Sequence, residues 1–221
     1  MGDYMGNSIN TYFNKIFFWM FIGLLITGVT GYFISRDILL LSIFLKGFYF
    51  FIIAEIIMVI AFASVVNKVK PTTAIIMFII YALLNGITFS GIFAAYKLGS
   101  ILVVLLSTSI FFILLALYGY FTKQDLTKFG IIMFIGLITV ILVSIINFFL
   151  NVSGLEIILS IIIILIFLGL TAYDIQRLKD IYYMENNSDK TNIAIYGALE
   201  LYLDFINIFI RLLSLFGRGR D

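Results

Sequence analysis

The chain has 221 residues, of which 63% are hydrophobic and only 12% are charged. Soluble globular domains have about half their residues apolar and about a quarter charged, so this composition excludes a soluble fold and requires a lipid bilayer. The net charge of +2 offers no basic surface for nucleic acid, and a chain without Cys or His has no disulfides, no thiol catalysis and no thiolate or imidazole metal site.

Seven apolar segments are long enough to span, because a helix needs about 20 residues to cross a hydrocarbon core roughly 30 Å thick. They predict transmembrane helices at about 16–34, 43–66, 73–96, 100–120, 129–150, 155–173 and 193–213. Such runs are too long for barrel strands of about 10 alternating residues. We therefore expect an all-α integral membrane protein, a seven-transmembrane-helix bundle forming one transmembrane domain over residues 1–221.

Lys and Arg suggest the orientation of this bundle. If the N-terminus is cytoplasmic, the inner side carries more Lys and Arg than the short outer loops, and this bias favours an inside N-terminus. An odd number of helices then puts the C-terminus outside, whereas Arg211, Arg218 and Arg220 favour the cytoplasm. The side of the C-terminus is therefore left open by the sequence.

The last predicted helix carries a polar stripe. Its members follow one another at spacings of 3, 4, 3 and 4, which puts them on one face of a helix: Gly197, Glu200, Asp204, Asn207 and Arg211. Ionisable groups within a span are costly and usually face a bundle interior or a water-filled cavity, so the stripe predicts an ion or proton path. The alternative is that the stripe only joins helices by hydrogen bonds.

Two more acidic residues lie in or beside apolar segments. Asp174 directly follows the sixth segment, where a solvated boundary residue is an equally good reading. Glu55 lies near the middle of the second segment without a local partner, so we expect it to be protonated or paired with another helix. Glu55, with Lys68 and Lys70 at the far end of that segment, is a secondary candidate site.

Three segments of the sequence resemble one family of membrane proteins. They are GLTAYDIQ at 169–176, ALELYLDFINIF at 198–209 and YALLNGITFS at 81–90, and they resemble the Bax inhibitor one family, also called transmembrane Bax inhibitor motif proteins. The order and spacing of helices agree over essentially the whole chain. The resemblance implies seven helices with the last one central, and a pH-sensitive calcium leak with Asp174 and Asp204 as the paired sensor aspartates.

The chain departs from the family pattern at three places. Gly91 stands where members often have Pro, and Glu200 stands where many have a neutral residue, so that Glu200 would add a third carboxylate to the cluster. An Arg often latches onto the aspartate pair from the cytoplasmic end of helix two. Here that region reads NKVK at 67–70, and a Lys would supply the charge without the bidentate fork of Arg.

These residues lead to a mechanistic hypothesis. Two buried carboxylates that lie close together cannot both ionise cheaply, so Asp174 and Asp204 should share a proton and respond to pH. Calcium prefers several oxygen ligands, which the two aspartates and Asn207 would supply as a weak, transient site suited to conduction. Contact between the aspartates requires a shift of one helix, because Asp174 ends its segment while Asp204 lies about 16 Å into its own. Lipid, calcium and protons are the expected partners, with no resident cofactor.

Two other functions are alternatives to conduction. A non-conducting regulator that binds a membrane protease or a cell-death factor rests on the family analogy and the apolar exterior. An intramembrane aspartyl protease is disfavoured because the motif around each Asp follows the Bax inhibitor pattern, so no enzyme is expected. The Ile, Phe, Asn and Lys bias favours a bacterial inner membrane over an internal eukaryotic one.

Overall fold

The computed structural model describes residues 2–66, 68–150, 152, 154–184 and 190–219, with side chains from residue 9 onwards. Within these residues the chain forms eight helices: α1 (Gly2–Arg36), α2 (Ile38–Lys46), α3 (Phe48–Val65), α4 (Pro71–Ala95), α5 (Leu98–Phe121), α6 (Thr127–Leu150), α7 (Leu155–Met184) and α8 (Thr191–Phe216). Of these described helices, seven are long and apolar enough to cross a membrane, and the nine-residue α2 is the exception. The predicted all-α fold with seven spans is confirmed.

The prediction of one continuous helix over 43–66 is wrong. The Asp37 side chain starts α2 by accepting hydrogen bonds from the backbone N–H groups of Leu39 (2.8 Å) and Leu40 (3.0 Å). α2 ends at Gly47, whose N–H donates to the carbonyl of Ile43 (3.0 Å), and α3 begins at the next residue. Because apolar residues dominate both α2 and α3, hydropathy alone does not reveal the break.

Two other helices are longer than predicted. α7 continues eleven residues beyond Tyr173, to Met184, and α1 begins at Gly2 instead of residue 16. A helix satisfies its own backbone hydrogen bonds, so it can extend past the apolar segment wherever its polar side chains find partners. The consequence is that Asp174 lies inside α7 and not at its end. The other predicted ends agree to within three residues.

The chain divides into two compact units, and each takes part of α8. Unit 1 contains α1 to α4 and Tyr182–Tyr202, and unit 2 contains α5, α6, most of α7 and Leu203–Arg218. The single domain over residues 1–221 stays a prediction.

In unit 1, small residues let α1 and α4 approach closely. A Cβ added at Gly86 would meet the Thr30 side chain at 2.6 Å, and one added at Gly31 would meet the Gly86 carbonyl oxygen at 3.0 Å. The Tyr202 ring of α8 is fully buried, edge-on to Phe78 with centroids 5.9 Å apart. The first half of α8 is therefore part of the core of unit 1.

In unit 2, glycines likewise let neighbouring helices approach α7 closely. A Cβ on Gly119 of α5 would overlap the carbonyl oxygen of Ala172, and one on Gly130 of α6 would overlap the Tyr173 ring. The second half of α8 packs on α5, where the rings of Phe112 and Phe205 lie 5.7 Å apart. The close packing of α7 thus surrounds the residues just before Asp174.

Candidate functional site

Asp174 is buried in unit 2, with 9% of its surface exposed. One oxygen of its carboxylate lies 3.6 Å from an Nη of Arg177, one turn further along α7, and the Arg177 side chain is 35% exposed. The guanidinium therefore connects a buried carboxylate to a more accessible part of the helix surface. Sequence reasoning had not chosen Arg177 as a site residue, although its spacing of three from Asp174 is a usable signal.

The residues after Asp174 hold the connection between α5 and α6. The Gln176 side chain accepts a hydrogen bond from the Leu126 N–H and donates one to the Gln124 carbonyl, both at 2.8 Å. Lys179 donates to the Tyr120 carbonyl at 3.0 Å, and its ammonium lies 5.1 Å from the centre of the Tyr120 ring. The α7 turn that carries Asp174 is thereby tied to this connection.

The same connection starts α6. The Asp125 carboxylate accepts a hydrogen bond from the Thr127 N–H at 2.9 Å, and the Thr127 side chain and backbone lower the pKa of Asp125 from its ordinary value. Asp125 is fully exposed and lies outside the predicted site, so its role is structural.

Asp204 is also buried in unit 2, with 4% of its surface exposed. It lies thirteen residues after Thr191, the start of α8, while Asp174 lies ten residues before Met184, the end of α7. At 1.5 Å per residue these positions are about 20 and 15 Å from the helix ends that face the α7–α8 connection. Because α7 is longer than predicted, both aspartates lie well inside their helices.

The other members of the predicted stripe have separate surroundings. Glu200 belongs to unit 1, where its carboxylate is within electrostatic range of the Tyr12 hydroxyl. The Asn207 amide donates to the carbonyl of Leu203 (2.8 Å), one turn back in the same helix. Arg211 is half-buried and within electrostatic range of Glu156 at the start of α7.

The burial of α8 explains how one helix can carry these groups. In the most apolar stretch of α8, 67% of the span is buried inside the protein, compared with 44% or less for every other described span. A charged side chain that faces lipid is costly, and a span that is mostly enclosed by protein avoids that cost. The burial therefore explains how α8 can carry polar groups within the bilayer, and it fits both alternatives for the stripe.

Glu55 accepts a hydrogen bond from a neighbouring helix, and whether its charge is neutralised by protonation or by a partner stays a prediction. The Thr88 hydroxyl of α4 donates to the half-buried Glu55 carboxylate at 2.8 Å. The Tyr202 hydroxyl, also within electrostatic range of Glu55, lies 2.7 Å from the Thr27 hydroxyl, which donates to the Ala82 carbonyl at 3.0 Å. Sequence reasoning missed Tyr202, since nothing distinguishes it from the other aromatic residues of the spans.

Lys68 and Lys70 are exposed in the turn between α3 and α4, in unit 1. Asn192, in the first turn of α8, donates to the carbonyls of Val66 (3.0 Å) and Val69 (2.7 Å) and so holds this turn. The use of either lysine as a latch on the aspartates stays a prediction. Among the described residues, no group of three or more acidic side chains is arranged to hold a metal ion.

Three relatives match this chain over nearly the whole length of both proteins. The family model described as "Inhibitor of apoptosis-promoting Bax1" matches residues 9–221. The inner membrane protein YbhL of Escherichia coli strain K12 is 35% identical over 218 residues, which cover 96% of this chain and 93% of that protein. A protein of Borreliella burgdorferi is 37% identical over 217 residues, covering 96% and 94%.

A third relative, a membrane protein of Streptococcus pyogenes serotype M1, is 35% identical over 216 residues, which cover 96% of this chain and 94% of that protein. Two of these three relatives carry names of membrane proteins. Together with the spans of the described residues, they identify the chain as a multi-pass integral membrane protein.

Proposed function

This chain belongs to the family "Inhibitor of apoptosis-promoting Bax1", and from that premise we propose that it is a pH-sensitive calcium leak channel gated by protonation of Asp174 and Asp204. The observation that carries the proposal is the burial of both aspartates inside helices long enough to span, within the same compact unit. We expect it to act in a bacterial inner membrane, as the name of the Escherichia coli relative suggests.

The chemistry follows from the burial of the two carboxylates. An ionised carboxylate is strongly disfavoured in a medium of low dielectric, and two of them close together repel each other. A shared proton relieves both effects, and the pair then titrates as one coupled group. A change of pH therefore changes the charge inside unit 2 without any soluble ligand.

Arg177 supplies the first response to that change. While Asp174 is ionised, the guanidinium 3.6 Å away is attracted to it. Protonation of Asp174 removes this attraction and so changes the electrostatic environment of the Arg177 side chain. Gln176 and Lys179 hold the α5–α6 connection from the same helix, so a movement of this turn of α7 is passed to α5 and α6.

Calcium would bind only weakly at Asp174 and Asp204. Ca²⁺ takes six to eight oxygen ligands, and the two aspartates with carbonyl and amide oxygens would provide only part of that set. Partial coordination suits an ion that must leave as well as bind. Glu55, which accepts a hydrogen bond from Thr88, is a further carboxylate in unit 1 to which a cation would bind in passing.

Calcium flux into dye-loaded liposomes across a pH series tests this function. We expect the wild-type protein to leak calcium with a marked pH dependence, and Asp174→Asn or Asp204→Asn to abolish that dependence. Asp180→Asn is the matched control, because Asp180 lies on the same helix as Asp174 but is exposed. If folded wild-type protein gives no flux above empty liposomes at any pH, conduction is excluded, and the search turns to a membrane-protein partner.

A second pair of variants tests the role of Arg177. Arg177→Gln removes the charge beside Asp174 and should change the pH midpoint of the flux, whereas Arg177→Lys keeps the charge and should leave the midpoint nearly unchanged. Equal midpoints for wild type and Arg177→Gln would show that the ion pair has no part in gating.

A further inference from the structure

Four lysines of unit 1 gather around the first turn of α8. Lys15 of α1 donates to the Thr191 hydroxyl at 3.4 Å, and Lys190 immediately precedes that residue. Asn192 binds the carbonyls of Val66 and Val69, so Lys68 and Lys70 flank a turn that is fixed to the same place. We refer to Lys15, Lys68, Lys70 and Lys190 as the basic cluster.

The basic cluster lies where membrane spans end. α3 ends at Val65, α4 begins at Pro71 and α8 begins at Thr191. Lys15 immediately precedes the apolar segment of α1 that begins at Ile16, and its long stem lets its ammonium stay in water at the interface. All four charges can therefore meet at the level of the lipid headgroups.

The ammonium groups of the cluster are available to an anion. Among the described residues, none of the four forms an ion pair with a carboxylate, while Glu185 and Asp189 lie outside those residues. Lys190 is oriented by the Tyr182 carbonyl and by the Tyr182 ring, whose centre is 3.6 Å from its ammonium. Tyrosine at a span end is a common interfacial anchor, so the site has both a charged and an aromatic component.

We propose that the basic cluster binds the phosphate of an anionic lipid headgroup. Lysine is a compact point charge that suits phosphate, and lysines beside a membrane attract anionic lipids strongly. Several helix ends converge on one fixed turn, which distinguishes this site from lysines scattered along an inner surface. A lipid bound there would tie α1 and the α3–α4 turn to the start of α8, independently of any calcium conduction in unit 2.

Native mass spectrometry of the purified protein in a neutral detergent tests this site. Phosphatidylglycerol and phosphatidylcholine with the same acyl chains are titrated in parallel, and the wild-type protein should retain more phosphatidylglycerol. The double variant Lys68→Gln/Lys70→Gln should lose most of that preference, by about fivefold per lysine. The matched control is Lys46→Gln/Lys97→Gln, which removes the same charge from the ends of α2 and α4 and should keep the preference.

Further arms separate the alternatives. Lys68→Arg/Lys70→Arg keeps the charge and should keep the preference, so a loss seen only in the Gln variant is electrostatic and not a folding defect. Inorganic phosphate added as a competitor should displace little phosphatidylglycerol, because it lacks the acyl chains. The proposal is overturned by an equal preference in the wild type and the Gln variant, by complete displacement with inorganic phosphate, or by a wild type that does not distinguish the two lipids.

Discussion

Two buried hydroxyls in unit 1, on Thr27 and Tyr202, are paired across neighbouring helices. The Tyr202 hydroxyl lies 2.7 Å from that of Thr27, and both residues have almost no exposed surface. In such a place a hydroxyl without a partner is costly, because neither lipid nor packed aromatic rings can replace the hydrogen bond. This pair therefore joins α1 to the first half of α8 with a defined geometry.

Removing one hydroxyl tests this joint. We expect Tyr202→Phe to lower the stability of the protein by roughly 0.6–1 kcal/mol, since Thr27 keeps its bond to the Ala82 carbonyl but loses its second partner. The thermal unfolding midpoint in detergent should fall by a few degrees. Tyr118→Phe is the control, because Tyr118 is exposed. Equal midpoints for the two variants would mean that the hydroxyl pair contributes nothing.

At this scale the sequence predicts which residues matter better than it predicts their partners. Asp204 and Glu55 stand out because a carboxylate inside an apolar span is rare and costly. Thr88, which donates to Glu55, and Tyr202, which is paired with Thr27, carry no comparable signal, since hydroxyl-bearing residues are common in spans and their pairing depends on which helices meet. Arg177 could have been found, because its spacing from Asp174 depends on one helix alone.

At the scale of the helices, glycines set how closely α5 and α6 approach α7. Gly119→Ala should destabilise the protein by about 1–3 kcal/mol, because the added Cβ would overlap the Ala172 carbonyl, which is backbone and cannot rotate away. Gly99→Ala, in the same helix, meets open space and should be neutral or stabilising by up to about 1 kcal/mol. Thermal unfolding of both variants measures the difference, and a Gly119 variant as stable as the Gly99 variant would refute the close approach.

Gln176 makes a second prediction at this scale. Gln176→Leu removes both hydrogen bonds to the α5–α6 connection, so the Leu126 amide should exchange with solvent deuterium about fivefold faster. Gln124→Leu is the control, because its backbone carbonyl and not its side chain makes the contact. Unchanged exchange at Leu126 in the Gln176 variant would mean that the amide is protected by something other than its hydrogen bond to Gln176.

The number of spans and most helix ends were predictable from the sequence, whereas the break at Gly47 and the extensions of α1 and α7 were not. Hydropathy detects a span because about 20 apolar residues are needed to cross the bilayer, but it cannot detect a break between two apolar pieces or a helix that continues into water. Gly47 is an example of the first and the last two turns of α7 are an example of the second. The longer α7 changes the interpretation of the site, because it moves Asp174 from a boundary to the interior of a helix.

For the whole molecule, Lys and Arg only weakly decide the orientation. With seven spans, eight of the fourteen basic residues lie towards the N-terminal side: Lys15, Lys68, Lys70, Lys123, Lys128, Arg177, Lys179 and Lys190. The remaining six lie towards the other side, including the arginines of the C-terminal end. Such a small excess favours an inside N-terminus without strongly opposing the reverse.

The backbone contact of Gly219 constrains the topology more strongly than the distribution of Lys and Arg does. Gly219 forms an isolated backbone bridge with Tyr96, so Gly219 lies beside the residue that directly follows α4. The chain has no Cys, which allows single cysteines to be introduced and labelled from one side of intact spheroplasts. Seven spans put Lys97 and Arg218 on the same side, so we expect Lys97→Cys and Arg218→Cys to react together with a membrane-impermeant thiol reagent, from outside if the N-terminus is cytoplasmic. Lys68→Cys and Lys123→Cys should react only after the membrane is opened.

Labelling of Lys97→Cys and Arg218→Cys from opposite sides would contradict the seventh span. Labelling of all four variants in the reverse pattern would keep the spans but invert the orientation.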